Sequence, residues 1–191
     1  MEKIIRLNLP VTDDSVIETL RAGTRVLVNG TIYVGRDAAH KRMIQALAAG
    51  EPLPVDVRNQ AIYYMGPAPT PLGKICGSAG PTSSYRMDAY SPRLLDLGQP
   101  VMIGKGLRSQ AVIEAIVRNG AVYLAAMGGA GAVMSASVTR AEVICWEDLG
   151  CEAVRRLEVK DMPLTVAVDS YGGNIYESGP AAYLASLKGC K

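Results

Sequence analysis

Between residues 101 and 127 the chain reads as a strand, a glycine turn, a helix and a second strand. Val101-Met-Ile103 is a short apolar run, and Gly104-Lys105-Gly106 is the turn after it. Residues 110–118 then carry Val112, Ile113, Ile116 and Val117 at helical spacing, and residues 121–127 form another apolar run. This alternation predicts helices laid against a sheet, whereas the flanking segments on both sides are rich in strand signals. The order, strands first, then alternation, then strands again, predicts an α/β domain of three layers with a mixed sheet over residues 1–191.

Residues 3–9 predict an edge strand, and Ser15-Val-Ile-Glu18 matches a capping box that opens a short helix ending before Gly23. Two β-rich runs around Asn29-Gly30, within residues 25–34, predict a hairpin, because a type I′ turn needs φ > 0 at both central residues. Residues 36–50 predict a helix capped by Asp37, with Met43, Ile44, Leu47 and Ala48 inward and Gly50 at its end. Arg36 then stands at a strand-to-helix junction. A strand at 61–65, a break at Pro67, Pro69 and Pro71, a helix at 92–97 and a small-residue helix after Gly128-Gly-Ala-Gly131 follow. Strands at 142–146, 152–159 and 164–169, a turn at Tyr171-Gly-Gly-Asn174 and a helix at 180–187 complete the reading.

Lys and Arg number 20 against 18 Asp and Glu, so nothing points to nucleic-acid or membrane binding. The first residues lack an apolar signal region, no run reaches spanning length, and a cytoplasmic protein is expected. Cys76, Cys145, Cys151 and Cys190 contain no C-x-x-C pair, which supports neither zinc nor a cluster built within this chain alone; reduced thiols are expected.

The segment Gly80-Pro81-Thr82-Ser83-Ser84-Tyr85-Arg86-Met87-Asp88 concentrates hydroxyls and a guanidinium after a Gly-Pro turn. A helix starting at Pro81 would aim its free N–H groups at an anion and place Thr82 and Arg86 on one face. Gly104-Lys105-Gly106-Leu-Arg-Ser109 invites a dinucleotide-binding reading, but Ser109 replaces the third glycine and no acid closes the next strand. Lys105 is better read as a cation at the carboxyl end of a buried strand. The glycines at 128–131 lack a P-loop ending and are expected to serve close packing. His40, the only histidine, has no paired nucleophile or carboxylate and is expected to support the site or the structure. Asp37 and Asp88 are expected to be a helix cap and an arginine partner. Arg36, Arg86 and Lys105 with the hydroxyls at 82–84 can grip a dicarboxylate, yet form half of an active site.

Arg36-Asp-Ala-Ala-His-Lys-Arg42, the 80–88 segment, Gly104-Lys105-Gly106 and the run from Lys160 to Ser170 occur in an order known from one family. Over residues 10–185 the chain resembles the β subunit, or C-terminal domain, of class I fumarases and the related tartrate dehydratases. The resemblance implies a swivelling β/β/α domain and a separate α subunit that holds a 4Fe-4S cluster on three cysteines. It also implies a heteromer, two copies of each chain, with the site shared between them. By the same resemblance Arg36 binds a substrate carboxylate, Arg86 and Lys105 are further anchors, and Thr82 exchanges the C3 proton between malate and fumarate. Ser83 stands where the family commonly has threonine and keeps the hydroxyl; His40 matches a motif histidine to which the resemblance gives no role, and Ser83, His40, Asp37 and Asp88 are expected at most to support the site. Lewis-acidic iron on the partner would activate the hydroxyl added or lost. Ala38-Ala39 and the run from Asp161 to Asp169 look more like fumarases than tartrate dehydratases, with tartrate or mesaconate as sibling substrates. Two other readings compete: a dinucleotide-dependent oxidoreductase and a non-catalytic ligand-binding domain. The second has no need for three cations together.

Overall fold

The computed structural model describes residues 4–188. Strand β1 (Ile4–Leu9) lies at the edge of the main sheet, parallel to β2 (Arg25–Val34), with helix α1 (Ser15–Thr19) between them. Helix α2 (Asp37–Ala48) leads to β3 (Ala61–Tyr63), parallel to the end of β2. Strands β4 (Met65–Pro67) and β5 (Ala79–Pro81) pair antiparallel as a separate ribbon. A 3₁₀ turn at Ser84–Met87 precedes α3 (Ser91–Leu95), β6 (Val101–Gly104), α4 (Gln110–Arg118) and β7 (Val122–Ala125). β6 is parallel to both β3 and β7. Helix α5 (Gly131–Ala136), β8 (Val138–Cys145), a 3₁₀ segment at Glu147–Glu152, β9 (Val154–Val168) and α6 (Ile175–Lys188) complete the order.

β9 closes the sheet on itself. It runs antiparallel to the whole of β2, from Arg155 opposite Val34 to Thr165 opposite Arg25, and its last residues pair with β7. β2, β3, β6, β7 and β9 thus form a ring, with β1 and β8 as flaps. Because side chains alternate along a strand, Ala61, Tyr63, Val101, Ile103, Val122 and Leu124 point inward onto β2 and β9 residues such as Val28, Ile32, Leu157 and Val166. The intervening Ile62, Met102 and Tyr123 point outward against Met43, Leu94, Val112 and Ile116 of the helices. The short parallel strands are therefore buried on both faces, as their unbroken apolar runs require. Two β layers and a helical layer result, which is the expected three-layer α/β fold with a mixed sheet.

Several local expectations are corrected. The Asn29-Gly30 hairpin is absent: both runs belong to the single strand β2, because β9 pairs with both halves across a bulge between Val28 and Gly30. Gly30 still has φ +100°, and a Cβ there would lie 2.1 Å from the Leu9 carbonyl oxygen. The 152–159 and 164–169 strands are likewise one strand, since Asp161 absorbs the irregularity with φ 48° and its N–H donates to Asn29 Oδ1 at 2.8 Å. Gly80-Pro81 is not a turn into a helix but part of β5, and the helical turn after it is a short 3₁₀ one starting at Ser84. The 61–65 strand splits between the ring and the β4–β5 ribbon. The proposed capping box does not form: Ser15 is already helical, and its N–H donates to the Asp13 carboxylate. Val117 is 45% exposed while Ala115 takes the inward place, and α6 begins before Pro180. Cys190 and Lys3 lie outside the described residues.

A Gly30→Ala substitution meets a backbone carbonyl rather than a movable side chain. It is expected to destabilise the fold by about 1–3 kcal/mol, read as a lower urea midpoint at unchanged slope.

Candidate active site

Four parallel strands point the same way, so their carboxyl ends gather on one rim, the usual place for ligands in such sheets. Arg36 follows β2, Gly66 lies just beyond β3, Lys105 follows β6 and Gly128 lies beyond β7. The segment after β5 is laid across this rim. Thr82 N–H donates to the Tyr64 carbonyl at 2.7 Å, and Ser83 and Ser84 run parallel to Lys105. Gly66 lets two functional side chains approach: a Cβ there would lie 3.1 Å from Thr82 Oγ1 and 3.7 Å from an Arg36 Nη. At Gly128 the corresponding neighbour is Lys105, whose Nζ would be 3.9 Å away.

The charges are arranged around Asp37. Its Oδ1 is 3.7 Å from Arg36 and 3.9 Å from Arg86, so one carboxylate holds the two guanidinium groups on the same side. Glu152 contributes a second carboxylate, 3.5 Å from Arg36, and its other oxygen accepts the Ala38 N–H at 3.0 Å. Glu152, not Asp37, is therefore the side chain that caps α2; Asp37 makes no hydrogen bond of that kind. The segment bearing Glu152 is clasped to α2 by a fork from Arg42 to Asp148, at 2.9 and 2.7 Å. Lys105 has no carboxylate partner among the described residues, and the hydroxyls of Thr82 and Ser83 make no hydrogen bond there. Three cations thus face two carboxylates and two free hydroxyls. Thr82 and Arg86 do converge on this rim, though not through one helical face.

A buried polar network fixes the rim from below. Ser84 accepts the Lys105 N–H at 3.0 Å and donates to Tyr123, which in turn donates to the Gly106 carbonyl at 3.0 Å. A Cβ at Gly104 would fall 2.1 Å from Ser84 Oγ, so only glycine admits this contact. Asp88 pairs with Arg108 at 2.7 Å, not with Arg86, and also accepts the Ser109 N–H. Arg108 is wholly buried, donates to Ser91 at 2.8 Å and lies over the rings of Tyr64 and Tyr123. Asp169, at the end of the expected 164–169 strand, accepts N–H groups from Ala22, Tyr171 and Gly173. The glycines at 128–131 serve packing, with Gly131 against Ser78 and Gly80.

His40 is fully buried beneath Arg36. Its Nδ1 is 2.8 Å from the Arg36 carbonyl, which can only accept, so Nδ1 carries the proton. Its ring meets Tyr64 edge-on. Burial pushes its pKa down to about 4, against the pull of the Arg36 carbonyl, with the Arg108 charge adding to the shift. Glu152 and Arg108 had no signal in the sequence, since their partners lie far away along the chain. Among the described residues no group of three His, Cys, Asp or Glu side chains could hold a metal ion. Cys76 packs on the inner core and Cys145 on the outer one, so these thiols do not fit a cluster. No helix of the described residues is long and apolar enough to cross a membrane.

The fold and rim define a three-layer β/β/α domain with cations gathered along one edge of its sheet. The sequence signature described as Fumarase C-terminus matches residues 1–179, and the chain belongs to that family. It is 39% identical over 178 residues to the aerobic class I fumarate hydratase of Salmonella typhimurium, covering 91% of this chain and 30% of that protein. The aerobic class I fumarate hydratase of Escherichia coli K12 is 41% identical over 81% of this chain and 28% of its own length. The putative L(+)-tartrate dehydratase subunit beta of Methanocaldococcus jannaschii is 38% identical over 84% of this chain and 86% of its own. The chain thus spans less than a third of the fumarate hydratases named here but most of the tartrate dehydratase subunit.

The sole histidine offers a clean pH test. Between about pH 4 and 6.5 the unfolded chain holds a proton on His40 that the folded one excludes, so stability rises with pH and is fully present above 6.5. Lowering the pH from about 7 to about 5 is expected to remove about 2 kcal/mol through this group. Urea unfolding of wild type and His40→Asn at both pH values should show the smaller loss in the variant.

Proposed function

We propose that this chain is the β-type part of a 4Fe-4S-dependent hydro-lyase that reversibly hydrates fumarate to L-malate. The observation that carries the reading is the rim itself: three cations and two free hydroxyls, with the neighbouring carboxylates of Asp37 and Glu152 turned to Arg36 and Arg86. Such a set binds and stabilises but does not complete a reaction. The cluster is assigned to a partner α subunit, in a site shared between the chains, because Cys76 and Cys145 lie in separate cores and cannot share one. The family relatives named as class I fumarate hydratases support the substrate.

Arg36 and Arg86, held side by side on Asp37, take one carboxylate of the substrate, and Lys105 takes the other from across the 82–84 segment. Removing the C3 proton of malate pushes charge onto the neighbouring carboxylate as the carbon gains carbanion character. Fixed cations stabilise that charge as it develops. Thr82 Oγ1 receives the proton. An alcohol is a weak base at neutral pH, and the positive field of Arg36, Arg86 and Lys105 is what makes an alkoxide-like Thr82 accessible. Ser83 is the relay through which the proton leaves. His40, buried and neutral, keeps Arg36 in place. A tartrate dehydratase β subunit is the second reading, supported by the 38% identity to the Methanocaldococcus protein over 86% of that protein.

The chain produced anaerobically with a candidate α partner and reconstituted with iron and sulfide is expected to turn L-malate into fumarate, followed by absorbance. Faster turnover of tartrate would select the second reading. Arg86→Ala should abolish measurable turnover while the two chains still co-elute; normal turnover would sink the assignment. Thr82→Val should lower kcat about 10²–10⁴-fold with KM little changed, and Ser83→Ala should lower it less.

A further inference from the structure

On the far side of the β4 strand from the active-site rim lies a cavity of about 350 Å³ that the catalytic reading leaves unused. Its walls mix polar and apolar surface, the apolar part including Met65, Pro67, Ile75, Val143 and Leu157. Arg155 projects to this side because it shares a strand face with Leu157, which points into the ring core. The guanidinium has no ion pair among the described residues, and its buried Nε has no hydrogen-bond acceptor. An unpaired guanidinium half inside a protein is costly unless something completes its hydrogen bonding. The one carboxylate on the walls, Glu142, is already engaged by Arg140 and Arg156. The half-buried thiol of Cys76 also lines the cavity and lies within the field of Arg155, which opposes the upward push of burial.

We propose that this cavity is a second ligand site, for a small monocarboxylate with a short apolar body. The carboxylate completes Arg155, the body fills the apolar walls, and the Cys76 thiol stands beside it. The cavity has ample room for a short carbon body, and a single free cation suits one negative charge. A dicarboxylate would bring a second charge among Met65, Ile75 and Leu157, where no cation meets it. The site therefore differs in chemistry from the rim at Arg36, Arg86 and Lys105, and its existence does not depend on which hydro-lyase the chain serves.

The position of Cys76 makes the site readable. Alkylation of the purified chain by anionic iodoacetate and neutral iodoacetamide is followed at Cys76 by peptide mass mapping, with free glutathione in the same tube as reference. Any effect of the thiol pKa cancels in the ratio of the two rates. The iodoacetate-to-iodoacetamide ratio at Cys76 is expected to exceed that of glutathione several-fold, and butyrate at millimolar concentration should slow both reagents at Cys76. Arg155→Gln should bring the ratio to the reference value and abolish protection by butyrate. Arg155→Lys, which keeps the charge, should retain the raised ratio and guards against a variant that merely loosens the fold. A reference-like ratio in the wild type, or a raised ratio without protection by butyrate, would overturn the proposal.

Discussion

The antiparallel pairing of β2 with β9 is the constraint on which the rest of the molecule depends. It joins the first strands of the chain to the last, and without it the parallel strands β3, β6 and β7 would form an open sheet with an exposed edge. Closure surrounds one core by strands and leaves the outer faces of the same strands to the helices, so each short parallel strand serves two cores. Because β2, β3, β6 and β7 then share one direction within a ring of fixed curvature, the residues following them meet on one rim. The position of Arg36 relative to Lys105 is thus a consequence of sheet closure rather than of any local motif.

Much of this was legible in the sequence where local chemistry and tertiary context agree. Helices α2 and α4 announce themselves by periodicity, and the apolar runs at β6 and β7 read as buried strands. The hairpin expectation failed for a physical reason: a positive φ at Gly30 serves a bulge in a through-strand as well as a two-residue turn. Only the distant partner β9 decides between them, and Asn29 answers Asp161 across that bulge. The cations were readable as residues at element ends. Glu152 and Arg108 were not, because an arginine beside a glycine turn or an acid in a 3₁₀ segment looks solvated until the fold brings its partner close. The 80–88 segment carried the right residues for the wrong reason, since its register against Tyr64 and Lys105, rather than a helix N-terminus, aims Thr82 at the rim.

The buried network below the rim separates two tasks that a small domain must perform together. Arg108, Asp88, Ser91, Tyr64 and Tyr123 satisfy one another completely enough to hold the backbone of residues 83–88 and 104–109. A buried ion pair gives little net stability against a hydrophobic replacement, while breaking one is costly. Its value here is positional, because Asp88 ties Arg108 and the Ser109 N–H to the 83–88 segment, while Ser84 holds the carbonyl and N–H of Lys105 and leaves the ammonium free to face outward. His40 does the corresponding work under α2, and its depressed pKa keeps it neutral so that it adds no charge beneath Arg36.

What distinguishes the rim from an ordinary surface ion-pair cluster is the looseness of its contacts. An arginine fully committed to a carboxylate lies at about 2.7–2.9 Å in a two-bond fork, as Arg42 does on Asp148. Arg36 and Arg86 stand instead at 3.5–3.9 Å from Asp37 and Glu152, and Arg36 Nε and Asp37 Oδ1 are buried without a hydrogen bond. The two acids therefore offset mutual repulsion between the guanidinium groups and hold them in place without saturating their donors. A ligand carboxylate arriving at hydrogen-bond distance gains contacts that the resting protein does not make. Preorganised but unsatisfied donors are the arrangement in which charge developing on a bound carboxylate is stabilised without reorganisation. This is why the rim fits the proposed proton abstraction better than it fits a purely structural cluster.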